Sequence, residues 1–495
     1  MFERPGFKTT GEVMSQLLAQ PASALQRPLC VDLDGTLTKV DTLYDTFMLL
    51  VRRNPRALVH LPGWLAGGKA NLKAHLTKAV TLDVTRLPYN QELLAYLHAQ
   101  RELGRPIFLA TGADRELAER VAAHLGIFDG VLASDGAHNL TGKRKLARFR
   151  EHFAGGEFDY IGNAMPDLEL LAASVAPKVA NPSLALRSSL RSRGVRVDQC
   201  FEDRAPILPS IIRAIRVHQW AKNVLIFIPV IVGHRWSLDA ARLALLAFFC
   251  FSMCASGTYL VNDLLDIEAD RHHLKKRTRP FAAGDLPVVG GLALSALLIA
   301  LSAVCAVFLP AAFLVWLGIY FACTLAYTFW LKRVVLVDVL ALSGLYTVRL
   351  MAGGAATSTP ISHWLSGFSI FLFLSLAIVK RFAELQNTLQ GGLTPKNGRG
   401  YQLSDIEQMR SFGTASAFAA VVVFANYISS FDVMALYHQP RLLWLVVPLL
   451  ILWLCRVWLL ASRGELNEDP VVFALTDRMS LLIGVAVAVI ALLAQ

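Results

Sequence analysis

Asn262, Asp263, Asp266 and Asp270 stand in the stretch Asn262-Asp263-Leu-Leu-Asp266-Ile-Glu268-Ala-Asp270. A long apolar run precedes it, and Arg271-His-His-Leu-Lys275-Lys276-Arg277-Thr-Arg279-Pro280 follows at once. At about 100° per residue the four side chains share one helix face, and Glu268 points away from it. Carboxylates gathered at the membrane end of a helix are unfavourable unless a cation sits among them. Mg2+ suits the place, since it takes one or two carboxylates and completes its shell with phosphate oxygens and water. The basic run would hold the other phosphate oxygens. The spacing therefore predicts a Mg2+–phosphate site rather than a merely solvated acidic helix end.

A second set lies near the start, in Pro28-Leu-Cys-Val-Asp32-Leu-Asp34-Gly35-Thr36-Leu-Thr38. A short apolar strand would deliver Asp32 and Asp34 at its C-terminal end, where α/β sheets bind ligands. Two residues apart, they would project to one side. A tight turn at Gly35 would aim backbone N–H groups at an anion. Pro106-Ile-Phe-Leu-Ala-Thr111-Gly112-Ala-Asp114 is a second apolar strand ending in a hydroxyl and a glycine. Gly142-Lys143-Arg144-Lys145 and Phe158-Asp-Tyr-Ile-Gly162-Asn163-Ala-Met-Pro-Asp167 come later.

These four pieces, in this order, resemble the haloacid dehalogenase-like phosphatase superfamily over roughly residues 28–200. The resemblance implies that Asp32 is a nucleophile forming an aspartyl-phosphate and Asp34 the general acid/base. It implies that Thr111 binds the phosphoryl group and that Lys145, with Lys143 as the alternative, neutralises it. Asp167 would hold Mg2+ together with Asp32 and Asp34. Such chemistry needs a metal and a lysine to mask the repulsion between carboxylate and phosphate. Asn163 stands where the family often has aspartate, which removes one charge from the metal site. The insertion between the first two motifs resembles the helical cap of the superfamily.

The whole chain has 495 residues, 55% of them hydrophobic, with a mean hydropathy of +0.47 and a formal charge of +11. Apolar residues are unevenly spread. Residues 1–26 read as a lead-in, and Met1 to Gln20 lacks the apolar core of a secretory signal. From about 218 onward, apolar segments near 20 residues recur, each long enough to cross a bilayer. The positive charge is thus assigned to basic cytoplasmic loops and phosphorylated substrates, not to nucleic acid. The seven cysteines show no metal spacing, and most lie in apolar segments as buried thiols.

The expected fold is an α/β Rossmann-like phosphatase domain with a helical cap, followed by an all-α polytopic membrane domain of about nine transmembrane helices. The expected boundaries are 1–200 for the first (cap about 41–100), 201–210 for a linker and 211–495 for the second. Spans are expected at roughly 223–238, 242–262, 289–309, 311–331, 334–356, 361–380, 413–431, 441–460 and 478–494. An amphipathic interface helix, Ile211 to Asn223, would precede them. Lysines and arginines concentrate after the second, fourth, sixth and eighth spans. The positive-inside rule then puts the N-terminal domain and the acidic stretch in the cytoplasm, in a multi-pass protein of the plasma (inner) membrane. Polar residues at span ends converge on the same side. They include Lys222, Tyr327, Lys332, Asp338, Lys380, Arg381 and Glu384, while Arg349 lies deeper.

Asn262-Asp263-x-x-Asp266-x-x-x-Asp270 resembles the first aspartate motif of the UbiA superfamily of membrane prenyltransferases, over about 211–495. The second aspartate-rich motif is replaced by Lys380-Arg381-Phe-Ala-Glu384. That replacement suits a site in which both substrates bring phosphates. Arg216-x-x-Gln219-Trp220-x-Lys222-Asn223, Lys276-Arg277-x-Arg279-Pro280, Tyr327-Thr-x-x-Leu-Lys332, Arg349-x-x-Ala-Gly-Gly and Lys380-Arg381-x-Ala-Glu384-Leu look like the decaprenyl-phosphate phosphoribosyltransferase branch. The resemblance implies transfer of 5-phosphoribose from phosphoribosyl pyrophosphate to a decaprenyl-like polyprenyl phosphate, on a route to cell-wall arabinose. Asp263, Asp266 and Asp270 would hold Mg2+ and stabilise the departing pyrophosphate. Arg271, Lys276, Arg277, Arg279 and Lys332 are candidates for pyrophosphate or 5-phosphate, and Asn262 and Tyr327 are further substrate-binding candidates. Lys222, Arg349, Lys380 and Arg381 are candidates for the lipid phosphate or the 5-phosphate. The fused phosphatase would remove the 5-phosphate of the lipid product. The alternative expectation is a prenyltransferase with a polyprenyl diphosphate donor and an aromatic acceptor. Homo-oligomerisation is compatible with either.

Overall fold

The computed structural model describes residues 25–390, 400–466 and 470–495. The lead-in expected at 1–26 lies outside them but for its last two residues. Two compact units emerge. One comprises the chain up to Ala214 together with Leu260–Ala293, the other Ile215–Tyr259 together with Leu294–Gln495.

The first unit is built on a parallel sheet. Its strands are β1 (Leu29–Val31), β2 (Ile107–Asp114), β3 (Gly130–Ser134), β4 (Asp159–Gly162), β5 (Lys178–Ala180) and β6 (Gln199–Phe201). They are ordered β3-β2-β1-β4-β5-β6, with Val31 in register with Leu109 and Ile161. Successive side chains enter opposite cores, as strands covered on both faces require. Leu29, Val31, Ile107, Leu109 and Ile161 pack on one side. Cys30, Ala110, Leu132, Tyr160 and Val179 pack on the other. The order reverses at β1, which has β2 on one flank and β4 on the other. A crevice therefore opens at the C-terminal end of β1, and the next residue is Asp32.

Helices fill the insertion between β1 and β2, among them α1 (Thr42–Arg53) and α2 (Gly68–Ala79). Asp41 caps α1 by accepting from the Leu43 N–H, and Asn54-Pro55 ends it. Asp114 at the end of β2 caps α3 (Arg115–Leu125) in the same way, through Glu116 N. After β3 the basic run forms α4 (Lys143–His152).

Eight helical segments among the described residues are long and apolar enough to cross a membrane. A ninth arises if Pro470–Thr476 and Arg478–Ala494, bent by 76°, count as one. The first candidate runs Ile207–Val232, earlier than the expected 223–238, and contains the segment expected to lie along the interface. Pro229 does not break it, because it occupies the first turn of a short helix, Ile228–Val232, where its missing N–H is harmless. The long helices that carry candidate residues are α5 (Leu238–Leu265), followed by the short α6 (Ile267–His272), then α7 (Ala311–Phe329), α8 (Val337–Ala356) and α9 (His363–Gln390). α5 hands over to α6 at Asp266, and two helical hydrogen bonds flank the junction. Asp266 N donates to Asn262 O (3.0 Å), and Asp270 N to Asp266 O (2.8 Å).

Candidate active sites

The crevice at β1 gathers Asp32, Asp34, Lys145, Tyr160, Asn163 and Asp167. Lys145, on the buried face of α4, donates to Asp32 Oδ1 (2.8 Å) and to the Tyr160 hydroxyl (2.9 Å). It lies 3.8 Å from Asp167 Oδ1. Lys143 is exposed. The Tyr160 hydroxyl donates to Asp167 Oδ1 (2.7 Å), and Asp167 Oδ2 accepts from the Asn163 and Ala164 N–H groups (3.1 Å each). Asp34 Oδ1 accepts from Thr42 N and Oγ1, both at 2.8 Å, which anchors it to the first turn of α1. Thr111 Oγ1 is fixed by the Ala113 N–H (2.9 Å).

Burial pushes the Asp32 carboxyl up to about 7, against the pull of Lys145. Burial, then the Asp41 charge, pushes Asp34 up to about 6. Burial alone would lower the Lys145 ammonium, but Asp32 and Asp167 outweigh it and hold it above the ordinary lysine value. Asp32 thus sits beside a cation, and Asp34, bonded to Thr42 instead, also keeps its proton above the ordinary carboxylate range. Those are the properties wanted of a nucleophile and an acid/base partner.

Gly35 has a left-handed φ of +75°, and a Cβ there would run into the Asn163 side-chain amide. Asn163 therefore lies directly over the turn that follows Asp32, whereas both oxygens of Asp167 are engaged in holding Tyr160 and the 163–164 backbone. Among the described residues, no group of three or more His, Cys, Asp or Glu side chains converges as a metal cage. Mg2+ does not need one, because substrate phosphate and water complete its shell. Asp32 and Asp167, both beside the Lys145 ammonium, are oxygen donors of the right kind, and the Asn163 side chain lies over Gly35.

The acidic segment belongs to the same unit. Arg279 Nη1 donates to both Asp263 Oδ1 (3.2 Å) and Asp270 Oδ2 (2.7 Å). A nitrogen shared by two nearly buried carboxylates marks a position where a divalent cation fits. Asp266 and Glu268 pair elsewhere, with Arg52 and Arg53 of α1. Arg271 is not directed at the same position as Arg279. It is buried, donates from Nε to Ala282 O (3.0 Å), and its Nη2 lies 2.7 Å from Asp45 Oδ2. Lys276 is half-buried and Arg277 exposed.

In the second unit, two clusters form. Lys222 and Arg349, both buried, stand over the ring of Tyr346, at 5.7 and 5.4 Å from its centroid. Arg349 donates to Asn223 Oδ1 (2.8 Å) and the Tyr320 hydroxyl (3.1 Å), while Asn223 donates to Ser252. The other cluster centres on Arg381. It donates to Asp338 Oδ2 (2.7 Å), to both oxygens of Glu384 (2.9 Å each) and to the Tyr327 hydroxyl (2.9 Å). Asp338 also accepts from Tyr401. The expected phosphate ligand Arg381 thus has its charge balanced by two carboxylates. Lys332 and Lys380 are half-buried.

Sequence reasoning missed Lys73, Tyr160 and Arg52. Lys73 on α2 reaches across to Gly112 O (2.5 Å) beside Thr111, and its charge bears on Asp34. Nothing in its neighbours Asn71, Leu72 and Ala74 signals this. Tyr160 was visible only as an apolar strand residue.

A UbiA fold joined to a haloacid dehalogenase-like hydrolase domain accounts for both sites. Residues 224–484 match the UbiA prenyltransferase family, and the chain belongs to it. Residues 29–172 match the haloacid dehalogenase-like hydrolases. The uncharacterized protein y4nM of Sinorhizobium fredii is 37% identical over 93% of this chain and 90% of its own length. The decaprenyl-phosphate phosphoribosyltransferase of Mycolicibacterium smegmatis is 35% identical over 46% of this chain and 72% of its own length. A UbiA homolog from Archaeoglobus fulgidus, solved with GPP and Mg2+, covers 57% of this chain and 99% of its own at 17% identity and a TM-score of 0.45.

Proposed function

We propose that this membrane transferase moves 5-phosphoribose from phosphoribosyl pyrophosphate to a polyprenyl phosphate, and that its hydrolase-like domain removes the 5-phosphate from the lipid product. The observation that carries the first half is the Lys222–Tyr346–Arg349 cluster. Two cations buried around one ring, in a unit of membrane-spanning helices, suit an anionic lipid headgroup far better than a neutral aromatic acceptor. The activity for which the Mycolicibacterium smegmatis relative is named supports the same reading.

Asp263 and Asp270, with Asp266, would hold Mg2+, which would supply charge neutralisation for the departing pyrophosphate. Arg279 stands where it can pass from these carboxylates to phosphate oxygens. Lys222 and Arg349 would orient the lipid phosphate, whose oxygen is already a good nucleophile, so no strong base is required. Arg381 would act at one remove, holding the Tyr327 hydroxyl and the ends of α8 and α9. In the hydrolase-like domain, Asp32 would attack phosphorus with Lys145 masking the charge. Asp34 would protonate the leaving oxygen and then activate water. Asp32 and Asp167 would hold Mg2+ there, and Asp167 would also set Tyr160 and the Asn163 backbone. Both sites would face the cytoplasm from the inner membrane.

Purified protein in lipid, given Mg2+, a polyprenyl phosphate and ribose-labelled phosphoribosyl pyrophosphate, should move label into lipid, and Asp263→Asn should not. Label that stays aqueous refutes the transfer. Asp32→Asn should leave a lipid product that still carries its monoester. A wild type that releases no phosphate from that product refutes the second half.

A further inference from the structure

Within the first unit, α1 of the insertion lies against the acidic segment, and the charges between them alternate. Arg52 pairs with Asp266, and Arg53 Nη2 sits 2.8 Å from Glu268 Oε2. In the opposite sense, Arg271 of the segment pairs with Asp45 of α1. His272 Nε2 lies 3.1 Å from Asp83 Oδ2. Gly284, in left-handed backbone at φ +75°, comes so close to Lys39, Val40 and Pro88 that a Cβ would strike them.

The pairs differ in burial. The side chains of Arg271 and Asp45 are 4% and 0% exposed, and those of Arg52 and Asp266 are 25% and 17% exposed. A hidden pair is held, because separating it strands a buried charge. A partly wet pair is weak and exchangeable. The contact therefore has a fixed end at Asp45 and a releasable end at Arg52, two turns further along the same helix.

We propose that Arg52 is the exchangeable counter-cation of Asp266 and that filling of the acidic segment releases it, loosening the end of α1. When Mg2+ and a diphosphate occupy the segment, Asp266 turns to the metal, Arg52 is released, and the C-terminal turn of α1 loosens while Arg271–Asp45 keeps its start tethered. This rests on the reading of Asp266 as a metal ligand. By linkage, Arg52 opposes the divalent cation as strongly as the cation opposes Arg52. Removing it should tighten Mg2+ binding about two- to fivefold, the range of a partly exposed pair.

The test uses the full chain in lipid nanodiscs, with Asp32→Asn as background so that only the acidic segment takes up metal. The probe is Mg2+ with inorganic pyrophosphate, followed by calorimetry and by hydrogen exchange of the peptides of α1. Binding should speed exchange at Leu49–Arg53 about tenfold and leave Thr42–Asp45 unchanged. In Arg52→Gln, Leu49–Arg53 should exchange fast from the start, ignore the probe and accompany tighter Mg2+ binding, while Arg52→Lys should restore the wild-type response. Binding seen by calorimetry with no change at Leu49–Arg53 overturns the switch but spares the metal site. Weaker Mg2+ binding in Arg52→Gln overturns it too. No binding in any variant overturns the metal reading and the switch together.

Discussion

Replacing Lys145 by methionine removes a buried charge while nearly conserving volume. Lys145 is bonded to Asp32 and Tyr160 and lies beside Asp167, and all of these are buried. Breaking a buried pair from one side costs about 3–5 kcal/mol. With a urea slope of about 2 kcal/mol/M, that lowers the unfolding midpoint by about 2 M. The sign with pH follows from Asp32. Burial raises its folded value to about 7, so its contribution to stability is full below the ordinary carboxylate range and is lost as pH rises through about 7. Without Lys145 that value climbs further, so the variant loses most at pH 8 and least at pH 6. Cys30, buried in β1 two residues before Asp32, is a native reporter in the intact chain. Pulsed alkylation of its thiol across a urea series, without metal, reads the opening of the sheet. A midpoint that shifts by less than about 0.5 M at pH 8, or equally at both pH values, refutes the reasoning.

Mg2+ binding at Asp32 should release protons between pH 6 and 7 in calorimetry with buffers of differing ionisation heat, because the metal must displace the proton that burial retains there. Lys73→Met should raise KM for a phosphomonoester about tenfold while kcat changes little, since its ammonium stands at the mouth of the crevice. Arg381→Met leaves Asp338 buried and unpaired, and should lower stability by about 3–5 kcal/mol, read as loss of monodisperse protein on heating in detergent. Arg349→Lys cannot reproduce the fork to Asn223 and Tyr320, and should reduce transfer at least tenfold with folding intact by the same assay.

The soluble fold was legible because its signals are local. Apolar runs ending in Asp32 and Thr111 mark strands that deliver side chains to one sheet edge, and the parallel order puts β1 at the reversal. The choice between Lys143 and Lys145 was not legible from spacing alone. It is settled by which face of α4 is buried, and that depends on Phe149 packing into the sheet's second core. Asn163 reads in sequence as a weakened metal ligand beside Asp167. In the fold the Asn163 amide lies over Gly35, while Asp167 accepts from Tyr160 and from the 163–164 backbone.

The membrane half shows why cations are harder to sort than carboxylates. Spacing put Asp263 and Asp270 on one face, and that survives because a helix fixes the angle between them. A long basic side chain is governed instead by whatever anion comes within its reach, often far along the chain. Arg381 meets Asp338 across 43 residues, and Arg271 meets Asp45 across more than two hundred. Both look like phosphate ligands in sequence, and both are balanced by carboxylates in the fold. Lys222 and Arg349 are packed around a ring instead, and Arg349 is held by neutral oxygens of Asn223, Leu345 and Tyr320. On the proposed function, the Lys222–Arg349 cluster would take the substrate phosphate and Arg381 would hold the fold around it. Arg381→Met should then act mainly through stability, and Arg349→Lys mainly through turnover.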